Sequence, residues 1–125
     1  MRPDFPPGFL DGLRHFNAGR FFEAHEAFED LLAAVEGDER WDLLVALVQV
    51  AVGYHKCASG HSGAARMLAL GLAKLAPFAA ETRGVAIGAL RDRVAADLRR
   101  LDAGEDLAAH VARDPPRLVP APGAG

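Results

Sequence analysis

The stretch from Leu43 to Val52 constrains this chain more than any other. Nine of its ten positions are apolar, and the tenth is Gln49. A membrane-crossing helix needs about 20 such residues, so the run is predicted to be the middle of a buried helix instead. A helix that is apolar on nearly every side has to be wrapped by others, and the composition supplies them. Alanine occurs 25 times, against nine Val, one Ile and one Thr. Alanine is the best helix former, whereas strands favour branched and aromatic side chains; the expected class is therefore all-α. A chain of 125 residues has room for one core and buries roughly two-thirds of its unfolded surface.

Punctuation and periodicity place about five helices. Pro6-Pro7-Gly8 opens the first, with Phe9, Leu13 and Phe16 on one stripe, and Asn17-Ala18-Gly19 ends it. The second is predicted from Arg20 to Glu36, with Gly37 closing it. Asp38 is a good N-cap for the third, from Glu39 to Ala58. Ser62 is expected to cap the fourth, which carries Met67, Leu68, Leu72 and Leu75 toward the stop at Pro77. After a looser stretch from Phe78 to Gly84, a fifth helix sets Ile87, Leu90, Val94, Leu98 and Leu101 at spacings of three and four, up to Gly104. This predicts a single helical domain over residues 1–104. Residues 105–125 are read as a Pro-rich tail, a short helical turn followed by a mobile segment.

A shift of 41 residues lays Gly12, Gly19, Ala24 and Leu31 onto Gly53, Gly60, Ala65 and Leu72. Small residues at those places let antiparallel helices approach closely, and the second glycine of each set falls at the turn. The first four helices are therefore predicted to be two helical hairpins, with the fifth closing the groove. The order Gly, Gly, Ala and a large apolar residue resembles the tetratricopeptide repeat, with Pro77 matching its terminal proline. Two copies are fewer than the three or more a solenoid needs.

Charge and cysteine usage exclude some classes of function. With 14 basic and 17 acidic residues the formal charge is -3, which leaves no electrostatic footprint for nucleic acid or an anionic membrane. The single Cys57 has no partner for an internal bridge, and no secretory signal is read ahead of the first helix, so a reducing, cytoplasmic setting is expected. Cys57 is read as a small buried residue. Trp41 is expected to anchor the core or an interface. Arg91, Arg93, Arg99 and Arg100 interleave with Asp92, Asp97 and Asp102, which reads as a salt-bridged solvent face.

Chemistry concentrates in Phe21-Phe22-Glu23-Ala24-His25-Glu26-Ala27-Phe28-Glu29-Asp30. On a helix His25 and Glu29 lie one turn and about 40° apart, whereas Glu26 points about 100° away. His25 and Glu29 can therefore share one site, and the whole acidic run cannot. Two readings stay open. In the first, His25, Glu29, Gln49, Tyr54 and His55 form a hydrogen-bonded network or pocket between helices, which fixes their register because an unpaired buried polar group costs about 1–3 kcal/mol. In the second, His25, Glu29 and His55 hold a divalent metal and Glu26 serves as general base of a hydrolase, although a zinc-protease helix would carry a second histidine where Glu29 stands.

The string Phe16-Asn17-Ala18-Gly19-Arg20-Phe21-Phe22-Glu23-Ala24-His25-Glu26 with Glu29, then Gln49-Val50-Ala51 with His55, then Gly63-Ala64, resembles the domain-of-unknown-function family 309. The resemblance implies a small prokaryotic helical protein without an established activity, sometimes labelled a metal-dependent hydrolase for its His-Glu pair. The family usually carries Trp three residues after the last Glu of the run, and here that position is Leu32, which removes an aromatic wall. The function expected from all this is a binding or interaction module around His25 and Glu29, with a peptide or a second copy as partner and an apolar stripe at Phe9 and Phe16 favouring self-association. The metal-dependent hydrolase is the alternative.

Overall fold

A computed structural model describes residues 3–121. Six α-helices account for most of them: α1 (Phe9–Asn17), α2 (Phe21–Glu29), α3 (Glu39–Ala58), α4 (Ala64–Leu75), α5 (Ile87–Asp102) and α6 (Ala108–Arg113). A two-residue hairpin, β1 (Glu81–Thr82) with β2 (Val85–Ala86), fills the stretch predicted to be loose. Helix α3 packs against α2, α4 and α6, while α1 packs on α2 and α4 on α5. The apolar run is therefore the centre of the bundle: Leu43, Leu44, Ala46, Leu47, Val50 and Ala51 are all buried.

The two hairpins form where the repeat puts them. An added Cβ on Gly12 of α1 would lie 2.5 Å from the Phe28 ring of α2, and one on Gly53 of α3 would lie 2.6 Å from Leu68 of α4. Each glycine thus lets its helix touch the partner rod. Gly19 and Gly60 hold the turns with φ of 80° and 69°, in the left-handed region where a side chain is strained.

Several boundaries differ from expectation. α2 stops at Glu29, and a 3₁₀ turn over Leu32–Val35 takes the rest of the predicted span. Its bonds tighten to i→i−3, from Leu31 N–H to Phe28 and from Ala34 N–H to Leu31, while Leu31 and Val35 stay buried. α3 keeps its predicted limits, and the Asp38 side chain accepts the Arg40 N–H at 2.7 Å. Ser62 does not cap α4; His61 Nδ1 instead accepts the N–H of Gly63 at 3.0 Å.

The largest correction concerns the C-terminal segment. Residues 105–121 pack onto the bundle rather than trailing from it, because Leu107, Val111 and Leu118 have apolar surface to bury and are at most 2 % exposed. Asn17 clamps Leu118 from both sides, donating to its carbonyl at 2.9 Å and accepting its N–H at 2.7 Å. Pro120 bridges to Val85 beside the hairpin, and the N–H of Ala121 reaches the Gly84 carbonyl at 2.9 Å. The rest of the predicted tail, residues 122–125, lies outside the described residues. Phe9 and Phe16, expected to leave a sticky stripe, are buried in the core, so that route to self-association closes. Among the described residues no helix is long and apolar enough to cross a membrane.

Candidate functional site

Most of the residues predicted to share one polar site fall into two separate places around α3. Tyr54 turns inward. Its ring packs between Phe16 and Phe21, with centroids 6.2 and 5.6 Å away, and its hydroxyl donates to Asp97 Oδ2 of α5 at 2.7 Å. Asp97 is fully buried and is held by Arg93 at 2.7 Å and Arg100 at 3.5 Å. Arg93 also donates to the main chain at Asp114, which ties in the segment after α6. His110 of α6 accepts from Arg100 through Nε2. A guanidinium can only donate, so that nitrogen carries no proton, and the 3.7 Å approach of the same nitrogen to Asp97 is a contact rather than an ion pair.

This cluster turns part of the predicted solvent face of α5 inward: Asp97 is buried with Arg93 and Arg100 against it, while Asp92, Arg99 and Asp102 stay exposed. The helical period explains it: Asp97 falls on the stripe of Leu90 and Val94 and is carried into the core with them. Burial first, and then the hydrogen bond to Asp97, push the Tyr54 phenol far above the usual tyrosine range. Burial likewise raises the neighbouring Cys57 thiol to about 11, which makes it a poor nucleophile.

The other half of the predicted set gathers around Phe22, a residue the sequence reading passed over. Phe22 is 42 % exposed, and two imidazoles lie against its ring: His25 stacks at a centroid distance of 5.2 Å, and His55 of α3 lies tilted at 5.6 Å. His25 Nδ1 is 2.9 Å from the Phe22 carbonyl. A carbonyl only accepts, so this nitrogen bears the proton. Nε2 faces Glu29 Oε2 at 3.3 Å, with 59 % of the Glu29 side chain exposed; the two form an ion pair only when the ring is doubly protonated. Next to these rings opens a cleft of about 400 Å3, lined by Phe22, His25, Val52, His55, Lys56 and Ser59 with His61. The last carbonyls of α3 are already taken: Ser59 Oγ donates to the His55 carbonyl at 2.9 Å and the His61 N–H to that of Lys56 at 2.8 Å.

Gln49 joins neither group, and its Oε1 is buried without a hydrogen-bond partner. Glu26 is exposed on the outer side of α2 and is not part of the cleft wall. Among the described residues no three His, Cys, Asp or Glu side chains stand close enough together to hold a metal ion. The donor set of His25, Glu29 and His55 therefore does not fit a metal in this arrangement: the Phe22 ring packs against both imidazoles, and Glu29 sits on the solvent side. The signal that could have exposed the cleft was the pair of adjacent phenylalanines, since on a helix Phe21 and Phe22 point about 100° apart and only one can face the core.

The fold and this site define a small helical domain of two hairpins with an open aromatic and imidazole cleft at the end of its central helix. Residues 9–68, just under half of the chain, match the family model described as Domain of unknown function (DUF309), which is the family that the run around His25 resembles. No curated protein and no solved structure matches it.

Proposed function

We propose that this protein is a binding module whose site is the cleft beside Phe22, and that the cleft receives a flat aromatic group. One observation carries the reading: an exposed phenyl ring with two imidazoles packed on it, a cluster that costs apolar exposure and does nothing for the core. Aromatic pairs contribute about 0.5–1.5 kcal/mol beyond area burial when stacked or edge-on, so three rings at the mouth of a cleft favour a fourth. The polar rim supplies orientation. Lys56 and the imidazole N–H groups of His55 and His61 are donors, and Glu29 is the carboxylate at the edge.

Two of the groups at the cleft are held within the protein's own helices. Ser59, the hydroxyl in the cleft wall, gives its proton to the His55 carbonyl of its own helix, and the His25 Nδ1 proton goes to the Phe22 carbonyl. Recognition is the chemistry left to such a site. The test is a titration of N-acetyltryptophanamide into dilute protein, following the ring resonances of His25, His55 and His61. Saturable shifts at His25 and His55 with a Kd of about 1 mM, lost in Phe22→Ala, are expected. A response that never saturates, or that survives Phe22→Ala, would sink the proposal.

A further inference from the structure

The outer face of α3 shows what that cleft takes. Trp41, Val45, Val48, Val52 and His55 follow one another at spacings of four, three, four and three, so they form one stripe down the helix. None is buried: Trp41 is 38 % exposed, the three valines are half-buried and His55 is exposed. Alternate three- and four-residue spacing is the seam along which two helices pair. Of the two places expected for Trp41, the core and an interface, the core is not where it lies, because the tryptophan sits at the N-terminal end of this stripe.

The edge of the stripe identifies the partner. Asp42, Gln49 and Lys56 stand seven residues apart and so follow one line along α3 beside the stripe. An acid, an amide and a base in that order match their own reversed copy. An antiparallel second α3, related by a two-fold axis at Val48 and Gln49, sets Asp42 opposite Lys56, Gln49 opposite Gln49 and Lys56 opposite Asp42. A parallel pairing would put like charges together.

The same register brings Trp41 of the second copy beside His55, at the cleft lined by Phe22, Val52 and His55. We infer that the outer face of α3 docks antiparallel on that of a second copy of this chain, each cleft receiving Trp41 of the other. The inference rests on the aromatic-binding reading of the cleft and supplies its occupant.

Trp41 is the single tryptophan in the chain, so its fluorescence reports the docking directly. The full chain is followed by sedimentation velocity and Trp emission from about 5 to about 500 µM. A dimer is expected to form across this range, with emission moving to the blue as it does. Asp42→Lys and Lys56→Asp should each weaken it about tenfold, and the two together should restore it, because the swapped row is again self-complementary. Both positions are on the surface of α3, and a circular dichroism melt confirms that each variant is folded.

A monomer at every concentration, or charge reversals that fail to compensate, overturns the pairing. A dimer that is indifferent to Trp41→Ala overturns the occupant. N-acetyltryptophanamide added to folded Trp41→Ala separates this from the cleft reading: saturable shifts at His25 and His55 in a chain whose parent never dimerised would sink the pairing alone, and their absence would sink both.

Discussion

The two polar clusters flanking α3 carry similar residue types and end in opposite conditions. Around Asp97 every charge has a partner: one carboxylate meets a phenol and two guanidiniums, inside the protein. Around Phe22 the rings face water, and the cleft donors have few acceptors of their own. A buried carboxylate is tolerated only when it is paired and hydrogen-bonded, so the first cluster has to be complete. An exposed cluster is under no such demand and can leave contacts open for something else. The first holds α3, α5 and the α6 segment together; the second is free to bind.

If that contrast is right, the largest effect comes from breaking the inner cluster. Asp97→Ala strands two arginines and the Tyr54 hydroxyl, and urea denaturation should show a loss of about 3–5 kcal/mol. Alkaline pH comes next. In the unfolded chain the Cys57 thiol ionises near 9, whereas in the fold it does so at about 11. The native state then holds a proton that the unfolded state has released, so stability is complete below pH 9 and falls as pH rises toward 11, by about 2 kcal/mol. The raised Tyr54 phenol adds to the fall from pH 10 upward. Melts of Cys57→Ala between pH 8 and 11 should retain only the Tyr54 part.

Tyr54→Phe removes one hydrogen bond to a charged acceptor and should cost about 1.5–3 kcal/mol by the same denaturation. The smallest effects belong to the outer cluster. Phe22→Ala and His25→Ala should change stability by less than about 1 kcal/mol, since His25 bonds only within its own helix and to an exposed carboxylate, yet Phe22→Ala should abolish ligand shifts at the cleft. A loss from His25→Ala as large as that from Asp97→Ala would erase the distinction between the two clusters.

Much of this architecture is legible in the chain itself. The hairpins follow from Gly12, Gly19, Gly53 and Gly60, and the limits of α3 from Asp38 and the run it precedes, because close approach, left-handed turns and capping are local demands met by particular residues. The site was legible only in part. His25 and Glu29 do meet, one turn apart on α2, as the helical period requires. Tyr54 and His55 are neighbours in sequence and part company in space, since adjacent helical residues point about 100° apart. Asp97 sat among alternating charges that read as a wet surface, although its spacing from Leu90 and Val94 set it on the apolar stripe of the helix.

What the amino-acid order determined by itself was an all-α chain, its two glycine-built hairpins and the one-turn spacing of His25 and Glu29, all set by interactions within a few residues. The tertiary structure alone decided which groups pair with the buried Asp97, where the segment after Gly104 packs and that His55 of α3 joins His25 on the ring of Phe22. Those outcomes depend on how rods from distant parts of the chain lie against one another, and a helix with two usable faces carries no record of which of them its neighbour will cover.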